Sequence, residues 1–397
     1  MPPAPDHRSA HRGQRRRTVL VAHPGAELYG SDRMVLESLR ALAADPAGGD
    51  PVLVVPRHGP LVEEALAVGV TVLVCPTPVI SKAALSPRGL LALLRLTLRS
   101  IGPGWRLLGQ LRPSVVLVNT ITPPLWLLLA RCRGIPTVAH VHEGEASAPA
   151  LVRRALYLPL ALADHLVVNS RFSLDVLRRA APGAAGRARV VLNAVEGPEQ
   201  VVAPRPRLEG PFRLLYVGRL SARKGPHVAV EAVRLLHERG VDVCLGLLGS
   251  TAPGYEWYAD QLAGSVREAG LEDRVTFHGF HPRIWPLVAE ADVVVVPSTV
   301  DEPFGNTAVE ARLAARPLIT SDISGLREAS AGATAVRRVP PSDPAALADA
   351  VQSVLGGWEH ERELALADAD TAREQFSADR YATELREVVA LAEEGRR

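Results

Sequence analysis

Short runs of Val, Leu and Ile alternate along the chain with longer stretches in which apolar residues recur every three or four positions. The first pattern is that of strands buried on both faces, and the second that of helices packed over them. The chain therefore reads as successive β-α units around parallel sheets. In the first half, strands are predicted at Thr18–Ala22, Val52–Val55, Val70–Cys75, Val115–Val118, Thr137–Val141, His165–Val168 and Arg189–Leu192. Helices fall between them, for example Ser31–Ala44 and Pro149–Ala161. The rhythm breaks near 196–211, where Glu196-Gly197-Pro198, Pro204-Arg205-Pro206 and Gly210-Pro211 crowd turn residues together. It then restarts, with strands at Phe212–Val217, Val241–Leu248, Arg274–Phe277, Asp292–Val296, Pro317–Thr320 and Thr334–Arg338. Helices are predicted at Lys224–Arg239, Tyr255–Ala269, Asn306–Ala315 and Asp343–Leu355, and Glu361–Glu394 reads as mostly helical.

The pattern predicts two doubly wound α/β domains in tandem, facing each other across a cleft. Ligands in such sheets bind beyond the carboxyl ends of the strands. The expected division is a disordered basic tail over 1–17, a first domain over 18–200 and a linker over 201–211. A second domain over 212–375 follows, and then a C-terminal helix over 376–397 that crosses back to the first domain.

A length of 397 residues suits two such domains. With 45 basic against 43 acidic side chains the net charge is only +2, which leaves no footprint of a general nucleic-acid binder. Cys75, Cys132 and Cys244 are far apart in apolar surroundings, without metal-type spacing, and are expected as reduced, buried thiols. No apolar stretch is long enough to span a membrane, and no signal-type apolar segment follows Arg15-Arg16-Arg17. The expected location is the cytoplasm, including the inner face of the plasma membrane. Only Lys82 and Lys224 are lysines, all other basic residues being arginine. A lysine retained in so arginine-biased a chain is more readily explained by a need for its compact ammonium group.

Two segments carry chemistry. The first is Leu214-Leu215-Tyr216-Val217-Gly218-Arg219-Leu220-Ser221-Ala222-Arg223-Lys224-Gly225. A buried strand ends at Gly218 and a helix opens shortly after, so Arg219 and Lys224 flank a loop at the strand's carboxyl end. Two cations and the free amides of a helix start suit a diphosphate. A solvated basic loop is the competing explanation. The second segment is Asp301-Glu302-Pro303-Phe304-Gly305-Asn306-Thr307-Ala308-Val309-Glu310-Ala311. Pro303 and Gly305 hold the helix off until Asn306, which leaves Glu302 in the loop and Glu310 one turn inside the helix. Two carboxylates so placed can accept hydrogen bonds from vicinal hydroxyls. By itself the spacing is weak, and a solvent-facing Glu310 is the simpler explanation.

Together these segments resemble the family 4 retaining glycosyltransferases of the GT-B fold, two Rossmann-like domains about a cleft. The likeness covers about residues 18–390. Its specific part is the Gly-Arg-Leu-x-x-x-Lys-Gly run at 218–225 followed by the Glu-x7-Glu run at 302–310. The resemblance implies that Gly218, Arg219 and Lys224 hold the diphosphate of a nucleotide-sugar donor. It implies that Glu310 binds the ribose hydroxyls and Glu302 those of the transferred sugar, with the amides of Phe304, Gly305 and Asn306 alongside. The opening loop Tyr29-Gly30-Ser31-Asp32-Arg33 resembles the family's Gly-Gly loop near the donor phosphates, with Tyr29 in place of the first glycine. Ser31 or Asp32 serves equally well as a helix N-cap. In Val138-Ala139-His140-Val141-His142-Glu143, His142 is the better match to a sugar-contacting histidine, and His140 reads as packed. Ser170 follows its strand as in the family, Asn193 reads as a turn residue, and His278, Gly279 and Arg283 lie where the nucleobase docks.

The implied catalytic group is Arg219, Lys224, Glu302 and His142. The cations stabilise the charge on the leaving diphosphate, and no metal or other cofactor is called for. Asp368-Ala369-Asp370, the single Asp-x-Asp match, sits in an Ala-rich helical stretch and reads as solvated helix. The expected partners are a nucleotide sugar and an acceptor glycan, glycolipid or small molecule, with no nucleic acid. Ser86–Arg112 is Leu-rich with interspersed arginines, interrupted by Gly102-Pro103-Gly104, and offers a peripheral membrane contact. An ordinary helix of the first domain is an equal reading. A non-catalytic nucleotide-sugar-binding protein of this fold, or a sugar-nucleotide epimerase or hydrolase, are the alternatives. An NAD-dependent oxidoreductase is disfavoured because neither domain opens with Gly-x-Gly-x-x-Gly.

Overall fold

The computed structural model describes residues 17–395 except 29, 46–48, 82, 83, 85 and 253. The tail through Arg16, Tyr29 and Lys82 lie outside the described residues. The first sheet contains β1 (Thr18–Ala22), β2 (Asp50–Val55), β3 (Thr71–Val74), β4 (Val115–Asn119), β5 (Thr137–Val141), β6 (His165–Val168) and β7 (Ala188–Val190). The second contains β8 (Phe212–Val217), β9 (Val243–Leu248), β10 (Val275–Gly279), β11 (Val293–Val296), β12 (Leu318–Ser321) and β13 (Val336–Val339). The strand orders are β3-β2-β1-β4-β5-β6-β7 and β10-β9-β8-β11-β12-β13. Every recorded pairing is parallel.

This is the doubly wound architecture that the alternating pattern predicts. Central strands such as β4 and β5 are buried at every position, because helices cover both faces of each sheet. On one face of the first sheet Val19, Val21 and Leu117 pack against the helix Gly30–Ala43 and against Leu385 and Val388 of the last helix, Ala378–Glu394. Ser38 Oγ and Tyr381 Oη, 2.6 Å apart, join those two helices. On the other face Leu20, Val116 and Ala139 meet Leu108 and Trp126. In each sheet the chain first winds outward in one direction and then crosses back over the starting strand. The reversals fall between β1 and β4 and between β8 and β11, so loops diverge there and leave a crevice at the carboxyl ends.

Several local expectations change. The helix expected from Lys224 begins at Pro226, because Gly225 takes φ 72° after a 3-10 turn over Ala222–Lys224. Pro159 lacks an amide proton, and the helix Ala150–Tyr157 passes into a 3-10 turn over Leu158–Leu162. The Gly102-Pro103-Gly104 interruption is not a break: one helix runs from Pro87 to Leu111 with Pro103 inside it. A Cβ at Gly104 would lie 2.7 Å from Leu129 Cδ1, so the glycine serves close helix packing. Cys75 is buried as expected, but Cys244 is half-buried and Cys132, the last residue of its helix, is exposed.

Residues 191–211 hold no regular element, yet the segment is clipped to the second sheet. Arg205 donates Nε and Nη2 to the two oxygens of buried Asp292 at 2.7 and 2.6 Å, and Trp358 Nε1 donates to the Arg205 carbonyl at 3.0 Å. Asp368, half of the Asp-x-Asp match, is buried and receives Arg312 Nε and Nη2 at 3.0 Å each. It is therefore a structural ion-pair partner and not solvated helix. Arg312→Leu should strand this carboxylate and lower unfolding free energy by about 3–5 kcal/mol in urea titration, whereas Arg312→Met with Asp368→Leu should recover most of the loss.

Candidate functional site

The neighbouring strands β8 and β11 send their following loops out of the same edge of the second sheet. Those loops are pinned to each other. Thr299 donates its amide to the Arg223 carbonyl at 2.9 Å and its hydroxyl to the Ala222 carbonyl at 3.0 Å. Gly225 admits no side chain, since a Cβ would fall 2.0 Å from the Pro297 carbonyl oxygen. Tyr216 Oη donates to the Arg219 carbonyl at 2.7 Å and holds the start of the loop beside Gly218, leaving the Arg219 side chain exposed.

Lys224 Nζ lies 2.8 Å from Glu302 Oε1, and Ser298 Oγ donates to the same oxygen at 3.1 Å. Arg223 Nη2 stands 4.0 Å from Oε2. Ser324 Oγ accepts from the Glu302 amide at 2.8 Å, so both the backbone and the carboxylate of Glu302 are fixed. Phe304 is buried against Phe376. Gly305 takes φ 109°, and a Cβ there would fall 2.4 Å from Leu326 Cδ2. The helix Asn306–Leu313 then starts without a side-chain cap, so its first amides have no cap to satisfy them. One turn along, burial pushes the Glu310 carboxyl up, while Arg33 and Lys224 pull it back. A compact volume thus holds cations, helix-start amides and two carboxylates. That set can receive a phosphate group and paired hydroxyls.

The first domain contributes a linked row of polar side chains at its own reversal point. Asp32 Oδ1 accepts from His23 Nε2 at 2.6 Å, and His23 Nδ1 accepts from Asn119 Nδ2 at 2.9 Å. Asn119 Oδ1 then accepts from His142 Nε2 at 2.9 Å. Asn119 Nδ2 can only donate and its Oδ1 can only accept, so His142 presents a proton at Nε2 and, being neutral, a lone pair at Nδ1. Burial holds the His142 ring well below the usual imidazole range, and nearby His140 and His23 add to that. His140 is wholly buried, 4.0 Å from the His142 ring and 6.2 Å from the Tyr381 ring, with neither nitrogen hydrogen-bonded. Burial lowers it to about 3. The neighbouring Glu143 carboxyl is pushed up to about 7 by burial, although the His142 and Ile121 amides donate to it. Asp32, in the first turn of its helix, anchors His23. A Cβ at Gly30 would meet nothing within 4 Å, so no protein packing demands that glycine and the space above it is open.

The two halves touch across the cleft. Ser170 Oγ donates to the Pro303 carbonyl at 2.5 Å, and the Arg171 and Phe172 amides each donate to Glu328 at 2.8 Å. Asn193 is more than a turn residue, since its Nδ2 donates to Asn306 Oδ1 at 2.9 Å. Arg33 Nη1 approaches Glu310 Oε1 at 3.9 Å. His278 covers Gly246 of β9, and Arg283 lines a hollow with Pro198, Glu199 and Trp285. The motif reading singled out Arg219, Lys224, Glu302, Glu310 and His142. Ser298, Ser324, Asn119, His23 and Glu328 lie in surroundings that carry no recognisable pattern, and Asp32 and Arg33, part of the opening loop, take roles that the loop motif does not specify: Asp32 holds His23 and Arg33 approaches Glu310. One signal was available: His23 and Asn119 each close a predicted strand at a reversal point, as His142 closes β5.

Residues 29–196 match the family described as Glycosyltransferase Family 4, and residues 211–356 match Glycosyl transferases group 1. Glycogen synthase of Mycobacterium tuberculosis is 30% identical over 302 residues, covering 72% of this chain and 70% of that protein. A 2-deoxystreptamine glucosyltransferase of Streptomyces kanamyceticus is 30% identical over 280 residues, covering 61% and 68%. Among solved structures, HepE of Anabaena in complex with UDP-glucose superposes with a TM-score of 0.78 at 19% identity, over 94% of this chain and 99% of that one.

The buried histidines give this wall a pH signature. Above pH 6.5 the His140 ring is neutral folded or unfolded; below it the unfolded chain takes up a proton that the folded ring refuses until about pH 3. Stability should therefore fall across that window by up to about 1.4 kcal/mol per pH unit from this group alone. His140→Phe, which keeps a ring beside Tyr381, should flatten that part of the urea-derived stability profile.

Proposed function

This chain belongs to the family 4, group 1 glycosyltransferases of the GT-B fold and uses a nucleotide-sugar donor; we propose that it transfers the sugar with retention of configuration and without a metal. The observation that carries this reading is the Lys224–Glu302 pair at 2.8 Å, set between Arg219, the start of the helix Asn306–Leu313 and Glu310. In the free protein the two charges neutralise each other. A donor diphosphate competes for Lys224, joins Arg219, and releases Glu302 to accept from hydroxyls of the transferred sugar. Glu310 then accepts from the ribose hydroxyls, the region of Gly30 and Gly218 gives the phosphates room, and Phe304, Gly305 and Asn306 offer amides. His142, oriented by Asn119, faces the sugar.

As the bond from the anomeric carbon to the diphosphate breaks, the acceptor oxygen bonds to the same face and its proton passes to the leaving phosphate oxygen. Arg219 and Lys224 stabilise the charge that develops there, which is ordinarily the largest contribution to such catalysis. Closure of the cleft excludes water and limits donor hydrolysis. A UDP-sugar is the first donor to try, and a glycan, glycolipid or small metabolite supplies the acceptor hydroxyl. The free thiols of Cys75, Cys132 and Cys244 suit a reducing, cytoplasmic compartment.

A thermal-shift panel of UDP-, GDP-, ADP- and dTDP-sugars should stabilise the protein with one nucleotide above the others. With that donor, Lys224→Ala and Glu310→Ala should each lower transfer on the order of 10²- to 10³-fold while melting normally. Full activity in either variant rejects the assignment. Chelator should leave transfer unchanged, and NMR of the product should show the donor's anomeric configuration. Donor turnover without any acceptor-dependent product would instead favour a hydrolase.

A further inference from the structure

The helix Pro87–Leu111 is out of proportion to the sheet it serves. Its 25 residues span about 37 Å, whereas the five residues of neighbouring β4 span about 17 Å. Its buried residues are Ser100, Gly104 and Leu108, all in the second half. The helix runs from the carboxyl end of β3 back to the amino end of β4, so the unsupported half overhangs on the side that carries the cleft. The helix presents an apolar stripe to solvent that begins in that half and continues past it. Leu91, Leu94, Leu98, Ile101 and Trp105 recur with the helical period and are 40–71% exposed. Arg88, Arg95, Arg99 and Arg106 form a second exposed stripe directly beside it. Between Glu64 and Glu143 the chain has eight basic residues and no acidic one, although its net charge is only +2.

We propose that this face docks on an anionic lipid leaflet, with the leucines and Trp105 entering the headgroup boundary and the arginines pairing with lipid phosphates. Charge decides the occupant. A second copy of the chain would cover the apolar stripe, but it would bring two arginine stripes together, and the segment between Glu64 and Glu143 has no acidic residue to offset them. An anionic leaflet supplies both the apolar medium and the counter-charge. The contact is peripheral, since no helix among the described residues is long and apolar enough to cross a membrane. Docked in this way, the cleft comes within reach of a lipid-borne acceptor, a consequence that rests on the transfer reading above.

Flotation of the full chain with vesicles of phosphatidylcholine mixed with phosphatidylglycerol, and with phosphatidylcholine alone, tests the docking without donor or acceptor. Vesicle binding and sugar transfer can therefore fail independently. The protein should float with the anionic vesicles, not with the neutral ones, and should be released by salt. Leu94→Glu with Leu98→Glu, and separately Arg95→Gln with Arg99→Gln, should each cut the bound fraction at least about tenfold while melting temperature and donor-induced thermal shift stay unchanged. Absence of flotation with anionic vesicles, equal flotation with neutral ones, or binding that survives both double variants overturns the proposal. So does a dimer in vesicle-free sedimentation that Leu94→Glu with Leu98→Glu dissolves, because the face would then belong to a second copy.

Discussion

Lys224 and Glu302 belong to loops that leave different strands, yet their charged atoms lie 2.8 Å apart. They meet because β8 and β11 are neighbours at the point where the second sheet reverses its winding direction. The loops cannot drift, since Gly225 seats directly against the Pro297 carbonyl and Thr299 bonds back to Ala222 and Arg223. Strand order and the pinned loops thus bring a cation and a carboxylate from distant parts of the chain into contact. The pair satisfies itself while the site is free of ligand, so neither charge is left desolvated and unpaired.

The contacts between the halves of the molecule differ in kind from those within them. Inside the second half, Arg312 and Asp368 are bidentate and wholly buried, and Phe304 stacks edge-on against Phe376. Across the cleft the bonds are polar and few: Ser170 to Pro303, the start of the helix Arg171–Ala180 to Glu328, and Asn193 to Asn306. Water or a substrate can replace bonds of this type at small net cost. Meanwhile the last helix packs Leu385 and Val388 into the core of the first sheet. The arrangement therefore suits two bodies that stay joined while the gap between them adjusts.

The first half also carries an electrostatic burden of its own. His23, Asn119 and His142 form a single directional row that ends on Asp32, and its neighbour His140 has no polar partner at all. Burying the His140 and His142 rings side by side holds both below the usual imidazole range and costs stability in acid. On the outer surface of the same half the helix Pro87–Leu111 leaves leucines and arginines in solvent. Other exposed helices pair their charges locally, as Arg178 does with Asp175 and Arg234 with Glu231.

The strands could be read directly from the chain because a strand buried on both faces is a short apolar run, a local property of the composition. Thr18–Ala22, Thr137–Val141, His165–Val168 and Phe212–Val217 fall where the pattern predicts them. Arg219, Lys224, Glu302 and Glu310 stood out for the same reason, since each lies in a short run whose residue types imply a loop at a strand end. Sequence alone could not supply the partners. Ser298 beneath Glu302, Ser324 on its amide, Glu328 on a helix of the other half and Asp32 behind His23 are ordinary residues in ordinary surroundings. They become specific only through distances set by strand order, crossover and helix packing. Sequence determined the elements and the charged groups available at their ends, because both are encoded within a few neighbouring residues. Tertiary structure alone decided which groups touch, which histidine stays neutral and which leucines face water, because burial and contact depend on residues hundreds of positions apart.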